Sequence, residues 1–334
     1  MIGGATISFG YLIKFLKEND EPFTLVNTQH FPSGKMKILN PFLVLLKVMG
    51  NVFKADVIFL NCSDKGIKYL SPILYFIAKI FRLKFVVRPF GGDFKDYTER
   101  FGKVQKWIFE RTTLKVDLLF LQTKKLIQFY QNKKIKTIQL PTSRDNPTEV
   151  RGNRDFGKRF IYLGFVNKSK GINHLLEAEK KLGDDYTIHI YGPIRENYES
   201  SQEKRFQEKF DEQKGIYQGV LQKEKVLETL RKYDVLILPT FYQGEGYPGV
   251  IIEAYSLGLP VITTKWKSIP EIVEDRKTGI LIEPQSTGEL IDAIQFFNKN
   301  NYQSFSKNAR AHFEKTFSTE QVAGNAIAAV KALF

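Results

Sequence analysis

The sequence has few cysteines and histidines and lacks a long apolar run. Its 334 residues include one cysteine, Cys62, and four histidines, which excludes a disulfide framework and argues against a zinc site. No apolar run reaches the roughly 18 residues that a membrane-spanning helix needs, and no cleavable signal peptide opens the chain. We therefore expect a cytoplasmic protein that is neither secreted nor membrane-spanning.

Acidic residues are scarce in the first half of the chain. Residues 1–150 contain 24 Lys and Arg against 12 Asp and Glu, whereas residues 151–334 contain 26 against 24, so most of the net charge of +14 lies in the first half. Two apolar segments there, 35–54 and 68–84, are edged by lysines. Such segments suit an anionic membrane surface, although core helices with snorkelling lysines fit them equally well. No nucleic-acid recognition motif accompanies the charge.

The most informative stretch runs from residue 234 to residue 283. The apolar run Asp234 to Pro239 predicts a strand buried on both faces of a parallel sheet. A helix should begin at Pro248 and end before Pro260, and Val261 to Thr264 predicts the next strand. In such a βαβ unit, the loop from Pro239 to Pro248 lies at the carboxyl edge of the sheet, where ligands of open α/β sheets bind.

Two carboxylates flank the start of this helix. Glu245 precedes it and Glu253 lies inside it, with Gly246 and Gly249 between them. Bare amides at a helix N-terminus suit an anion, and carboxylates accept hydrogen bonds from sugar hydroxyls. Together these features indicate a sugar nucleotide, against the alternative of two surface glutamates in an ordinary βαβ unit.

The order of these residues resembles the donor-binding segment of retaining, nucleotide-sugar-dependent glycosyltransferases of family 4, the group 1 glycosyl transferases. The resemblance implies the α/β GT-B fold, in which two Rossmann-like domains face each other across a cleft and a C-terminal helix crosses back. We expect an acceptor domain over 1–150, a nucleotide-sugar domain over 151–315 and the terminal helix over 316–334. The polar segment 141–157 is interpreted as a linker, and the second domain should contain a charged helix over 196–214 and a strand over 216–220. The matching residues after the two glutamates are Gly258, Pro260, Pro270-Glu271 and Thr278-Gly279, and the resemblance is strongest over Phe160 to Pro284.

The resemblance also implies roles for the residues around the donor. Glu245 would hold the donor sugar and Glu253 the ribose, while Lys170, helped by Lys168, would neutralise the leaving diphosphate. Family members commonly have an arginine where this chain has Phe165, so Lys170 becomes the main cation. The other expected donor-binding residues are Gly3, Gly4, Gly192, Val220, Gly246, Tyr247, Pro248, Gly249 and Val250.

The first half departs more from the family pattern. An apolar strand usually precedes the glycine-rich loop, but here Gly3-Gly4 follows almost nothing, so either that strand is missing or the true start lies upstream. Strands are predicted at 23–27, 57–61 and 85–88. The loop after the third lacks the histidine often found in the family, and Asp93 either orients an acceptor hydroxyl or caps the next helix. The expected acceptor-side residues are Arg88, Gly91, Gly92 and Gln122, with Asp93 counted among the catalytic residues.

The expected reaction is transfer of a hexose or N-acetylhexosamine from a nucleoside diphosphate sugar, UDP favoured and GDP possible, to a glycan or lipid-linked acceptor. Because the chain lacks an Asp-x-Asp motif, we expect no metal and no cofactor. The setting would be bacterial polysaccharide or glycolipid synthesis at the inner face of the cytoplasmic membrane. Two alternatives remain: a sugar-nucleotide epimerase on the same fold, and a catalytically silent, membrane-associated partner of another glycosyltransferase.

Overall fold

The structure is a computed structural model that describes residues 4–28, 40–90, 94–133, 135–149, 155–194 and 216–334. Contacts divide the chain into two compact units, one of Met1–Pro141 with Ala323–Phe334 and the other of Thr142–Val322. The predicted site residues Gly3, Gly91, Gly92 and Asp93, and a charged helix predicted over 196–214, lie outside the described residues.

The first unit is built on a parallel sheet. Its strands are β1 (Val57–Cys62), β2 (Lys84–Pro89), β3 (Leu118–Leu121) and β4 (Thr137–Gln139), and its helices are α1 (Gly4–Glu18), α2 (Asn40–Met49), α3 (Ser71–Ile80), α4 (Phe94–Glu99), α5 (Lys103–Arg111) and α6 (Lys124–Gln131), with shorter turns at Val52–Lys54, Gly66–Leu70 and Thr113–Lys115. The strands pair in the order β1-β2-β3-β4. Every residue of β3 is buried, which explains its unbroken apolar sequence.

The second unit has a larger parallel sheet. Its strands are β5 (Arg159–Leu163), β6 (Thr187–Tyr191), β7 (Val235–Leu238), β8 (Val261–Thr264) and β9 (Gly279–Ile282), and its helices are α7 (Ile172–Leu182), α8 (Val226–Leu230), α9 (Gly249–Ser256), α10 (Thr287–Phe296) and α11 (Lys299–Thr316), with shorter turns at Lys168–Lys170, Lys223–Lys225 and Ile269–Glu271. The strand order is β6-β5-β7-β8-β9. Because β5 is followed by β6 on one side and by β7 on the other, the order reverses between β5 and β7, which is the place where such sheets bind ligands.

The last helix, α12 (Thr319–Lys331), begins in the second unit, and its residues from Ala323 onward group with the first. Lys331 Nζ donates to Glu21 Oε1 at 2.5 Å, which ties the end of this helix to the residues after α1. The C-terminal residues therefore complete the first unit.

Three elements differ from the sequence-based expectations. Residues 23–27 do not form a strand: Leu25 is exposed and the segment pairs with no described strand. The strand expected over 216–220 is reduced to a bridge between Ile190 and Tyr217. The 18-residue helix α11 was not predicted, although its buried residues Tyr302, Phe305, Ala309 and Phe313 recur at helical spacing and a capping box at Asn298 starts it.

None of the described helices combines the length and the apolar character that are needed to cross a bilayer.

Candidate active site

Two glycines hold the loops of the second sheet together at its carboxyl edge. Gly171 has φ +78°, and a Cβ there would lie 2.1 Å from the Pro239 carbonyl oxygen, so only glycine lets the β5 loop touch the end of β7. A Cβ on Gly192 would lie 1.8 Å from the Gly164 carbonyl oxygen. The loops after β5, β6 and β7 are therefore packed backbone to backbone.

The loop after β5 presents Lys170. The Asn167 side chain accepts a hydrogen bond from the Lys170 amide at 3.0 Å and caps the turn Lys168–Lys170. Phe241 N donates to the Ser169 carbonyl at 2.7 Å, which joins this turn to the loop after β7. The lysine side chain therefore leaves a backbone that is fixed from both sides.

Lys170 and Glu245 form an ion pair across these two loops. Lys170 Nζ donates to Glu245 Oε2 at 2.5 Å, and Thr240 Oγ1 donates to the same oxygen at 2.8 Å. The Lys170 ammonium also lies 4.9 Å from the centre of the Tyr242 ring. Both charged side chains are largely buried, at 13% and 9% exposure, so neither is an ordinary surface group.

Glu245 also influences a buried tyrosine beneath the loop. Tyr162 donates its hydroxyl hydrogen bond to the Phe165 carbonyl at 2.6 Å. Burial, and then the negative charge of Glu245, raise the pKa of Tyr162 well above its ordinary value. Tyr162 is therefore a neutral donor that fixes the loop at Phe165.

Helix α9 follows the Glu245 loop and carries the second glutamate. Pro248 is the residue before the helix and Gly249 its first residue, so the predicted start is shifted by one position. Glu253 Oε1 accepts a hydrogen bond from Arg144 Nε at 2.8 Å. The Tyr247 hydroxyl donates to Glu271 Oε2 at 2.7 Å, which anchors the loop before the helix to the predicted Pro-Glu pair.

The remaining residues that were predicted to bind the donor lie around these loops and in the first unit. Lys168 is exposed, and Val220 is exposed in the loop after the Tyr217 bridge. Gly192 N donates to the Gly219 carbonyl at 2.8 Å, so these two loops are adjacent. Gly246 and Val250 are half-buried on either side of the α9 start, and Gly4 is the first residue of α1.

Of the acceptor-side residues, Arg88 and Gln122 are described. The Arg88 side chain is buried at the end of β2 and donates to Ser8 Oγ at 3.3 Å and to the Pro141 carbonyl at 3.4 Å. Its burial lowers the pKa of Arg88 to about 10. The Gln122 carbonyl accepts from Gln139 Nε2 at 3.3 Å. These contacts are internal to the first unit, and the acceptor role of both residues stays a prediction.

Sequence reasoning missed three residues that surround the two glutamates. Thr240 and Tyr242 lie in the loop after β7, and their position directly behind a buried strand was a usable signal. Arg144 lies in a polar, proline-bearing segment that was interpreted as a linker, where no local pattern indicates a buried cation. Within the described residues, no group of three or more His, Cys, Asp or Glu side chains has the arrangement of a metal site.

The family model described as "Glycosyl transferases group 1" matches residues 144–312, which is half of the chain and includes both glutamates. The chain belongs to this family. The match confirms the predicted membership of the group 1 glycosyl transferases and the predicted enzyme class, a glycosyltransferase.

Solved structures confirm the predicted GT-B fold of this group 1 glycosyltransferase. The chain superposes on Anabaena HepE, solved in complex with UDP, with a TM-score of 0.75 and 15% identity, over 99% of this chain and 96% of that one. It superposes on the sucrose-phosphate synthase of Thermosynechococcus elongatus with a TM-score of 0.68 and 17% identity, over 94% and 81%.

Two sequence relatives share more identity with this chain, over a smaller part of it. An uncharacterized 41.2 kDa protein in the cps region of Klebsiella pneumoniae is 23% identical over 285 residues, 77% of this chain and 75% of that protein. The glycosyltransferase of Bacillus subtilis named for teichuronic acid biosynthesis, TuaC, is 30% identical over 137 residues, 40% of this chain and 31% of TuaC.

Proposed function

We propose that this chain is a retaining family 4 glycosyltransferase that moves a hexose or N-acetylhexosamine from a nucleoside diphosphate sugar to a glycan or lipid-linked acceptor. The observation that carries the proposal is the Lys170–Glu245 ion pair, which lies where the strand order of the second sheet reverses. Glu245 belongs to the loop that leads into the N-terminus of α9. A cation, a carboxylate and bare helix amides are the groups that a sugar diphosphate requires.

Separating the sugar from its diphosphate is the difficult step, because an oxocarbenium-like cation and a highly charged leaving group develop together. In the free protein Lys170 is held by Glu245. On donor binding we expect the ammonium to turn towards the diphosphate, while Thr240 continues to hold Glu245 for the sugar hydroxyls. Preorganised charges of this kind supply most of the stabilisation in such sites.

Glu253 is proposed to bind the ribose hydroxyls. Its carboxylate is 19% exposed, and its Oε1 is taken by Arg144, which leaves Oε2 to accept from a diol. We further propose that the reaction needs no metal, since the chain lacks an Asp-x-Asp motif, and that attack on the face of the departing phosphate retains the anomeric configuration.

The choice of nucleotide and pathway is supported by the relatives. HepE was solved with UDP, which favours UDP over GDP as the donor nucleotide. TuaC is named for the synthesis of teichuronic acid, which is a polysaccharide. We therefore propose polysaccharide or glycolipid synthesis as the setting.

Membrane association is proposed from the surface of the first unit. Tyr69, Ile73, Phe76 and Ile80 follow a helical spacing along α3 and the turn before it, and all four side chains are exposed. We call these four residues the α3 stripe. Lysines edge it, with Lys68 Nζ 5.2 Å from the centre of the Tyr69 ring. An apolar stripe with a cationic border suits the interface of an anionic bilayer.

The charge of the first half favours an anionic membrane, rather than a second copy of the chain, as the partner of the α3 stripe. The excess of +12 in residues 1–150 attracts anionic lipid and repels another copy of the same unit. We expect the protein to co-sediment with vesicles of phosphatidylcholine and phosphatidylglycerol but not with phosphatidylcholine alone. Phe76→Ser with Ile80→Ser should abolish sedimentation, whereas Val104→Ser, at an exposed apolar residue on α5, should not. Equal sedimentation of both variants would contradict the membrane proposal.

A donor screen tests the reaction itself. UDP- and GDP-sugars are first ranked by the rise that each causes in the melting temperature, because a ligand bound to the native state stabilises it. The best donor is then incubated with and without a lipid-linked acceptor, in the presence and absence of EDTA. We expect slow hydrolysis that the acceptor turns into transfer and that EDTA does not reduce. Interconversion of the sugars would indicate an epimerase, and no turnover with any donor would indicate a silent partner.

A further inference from the structure

Arg144 is a buried cation in a segment that the sequence presents as a linker. Its side chain is 5% exposed. Besides the contact from Nε to Glu253 Oε1 at 2.8 Å, Nη1 donates to the Ser143 carbonyl at 2.9 Å. A buried charge needs such partners, since its desolvation costs several kcal/mol. The structure therefore assigns a defined position to this arginine.

The guanidinium packs against the first residue of α9. A Cβ on Gly249 would lie 2.2 Å from Arg144 Nη2, so glycine at this position leaves room for the arginine. A cation near a helix N-terminus is electrostatically unfavourable, because the helix dipole is positive at that end. Glu253, one turn inside the same helix, offsets this repulsion with its carboxylate.

The backbone of Arg144 is fixed as firmly as its side chain. Arg144 N donates to the Phe317 carbonyl at 3.0 Å, and Thr319 N donates to the Arg144 carbonyl at 2.8 Å. These bonds join the residue to the end of α11 and the start of α12. The backbone of Arg144 is therefore held by residues at the other end of the unit's chain, with its side chain against Glu253.

We propose that Arg144 is a positioning residue for the donor nucleotide: it fixes the Glu253 carboxylate in one orientation by binding Oε1 and so leaves Oε2 to accept the ribose hydroxyls. Among the described residues, Oε2 of Glu253 receives no hydrogen bond, although the side chain is mostly buried. The inference rests on the proposed function, since it assumes that Glu253 faces a nucleotide. It extends that function to a residue outside the two-glutamate motif.

This role separates Arg144 from the diphosphate cation. A residue that acts through the ribose carboxylate affects every nucleotide equally, whatever its phosphate count. A residue that contacts phosphate directly affects a diphosphate more than a monophosphate. The comparison of UMP with UDP, and of GMP with GDP if guanosine is the better ligand, therefore distinguishes the two.

The experiment measures these affinities by calorimetry for the wild type, Arg144→Met, Arg144→Lys and Arg310→Met. Arg310 is the matched control, because it donates to the Ser256 carbonyl at the other end of α9. We expect Arg144→Met to weaken the mono- and the diphosphate alike, by about fivefold, as for the loss of one oriented hydrogen bond. Arg144→Lys should recover part of the affinity, and Arg310→Met should bind as the wild type does, even if its melting temperature falls.

The same substitution in a Glu253 variant tests whether Arg144 acts through the Glu253 carboxylate. In Glu253→Gln, adding Arg144→Met should weaken binding by less than about twofold, because the carboxylate that the arginine positions is already gone. An undiminished loss in that background, a loss that grows with phosphate count, or unchanged affinity in Arg144→Met would each overturn the inference alone. A wild type that binds none of the four nucleotides would overturn the proposed function and the inference with it.

Discussion

The two units have the same kind of parallel sheet but differ in what lies at the surface. In the second unit, the carboxyl edge carries the ion pairs Lys170–Glu245 and Arg144–Glu253, and glycines bring its loops into backbone contact. In the first unit, Arg88 at the end of β2 is buried with internal partners, and the conspicuous exposed feature is the α3 stripe.

Under the proposed function, this difference follows from what each unit has to bind. A donor site must hold a diphosphate and a ribose in a fixed geometry. Glycines, prolines and paired charges in a set order provide that geometry. An acceptor surface can use shape and apolar contact, which many sequences supply. The second unit is accordingly recognisable by motif, and the first only by its charge and its exposed apolar residues.

The largest expected effect comes from disturbing the backbone contact between Gly171 and Pro239, which brings the loops after β5 and β7 together. Gly171→Ala places a methyl group against the Pro239 carbonyl in a left-handed conformation, and we expect a loss of about 2 to 5 kcal/mol of unfolding free energy. Gly183→Ala is the control, because Gly183 has φ +75° with nothing near its Cβ position. Denaturant unfolding of both variants checks this.

Nucleotide affinity sharpens the same comparison. Gly171→Ala should also weaken UDP binding, since the turn carrying Lys170 must move, whereas Gly183→Ala should lose stability only. Equal stability loss in the two variants, with unchanged UDP affinity, would mean that the close approach of the loops does not build the site.

The next effect concerns the leaving group. If Lys170 is the main cation for the diphosphate, Lys170→Met should remove about 2 to 4 kcal/mol of transition-state stabilisation. The corresponding fall in kcat is on the order of 30- to 1000-fold. Lys180→Met, at an exposed lysine on α7, should retain full activity. Steady-state kinetics on both variants, with melting temperatures to verify folding, provide the measurement. A fully active Lys170→Met would remove the assignment.

The sequence was informative wherever function required a local pattern. The strand β7, the helix α9 and the strand β8 lie within one or two residues of their predicted bounds, because a buried apolar run and a proline on each side of the helix leave few alternatives. The contact between Lys170 and Glu245 could only be expected in outline. It depends on the Pro239 carbonyl lying directly against Gly171. The two residues are far apart in sequence, so no local spacing encodes this contact.

Other features depended on tertiary contacts alone. Residues 23–27 have the composition of a strand but pair with none of the described strands, so composition was misleading there. Arg144 looked like a linker residue because its burial arises from Glu253, Phe317 and Thr319, which are far away in sequence.

A smaller effect separates the roles of the two glutamates. Glu253→Ala should raise the donor KM with little change in kcat, and Glu245→Ala should depress kcat, each by about 1 to 3 kcal/mol, because each leaves a buried sugar hydroxyl without its partner. Glu283→Ala, at an exposed residue paired with Lys265, is the control and should change neither constant. If the two variants show the same kinetic change, the assignment of one glutamate to ribose and the other to sugar is wrong.

The smallest effect tests whether the carboxyl end of β1, in the first unit, is closed to solvent. Cys62 ends that strand, and burial, with a smaller effect from Asp64, raises the pKa of its thiol to about 12. At about pH 8 only ~1 in 10,000 molecules would carry the reactive thiolate, so iodoacetamide should modify the native protein far more slowly than the unfolded one. Mass spectrometry of timed samples in buffer and in urea measures both rates. Rapid modification of the native protein would show that the end of β1 opens to solvent, which would contradict the burial of Cys62 in the first unit.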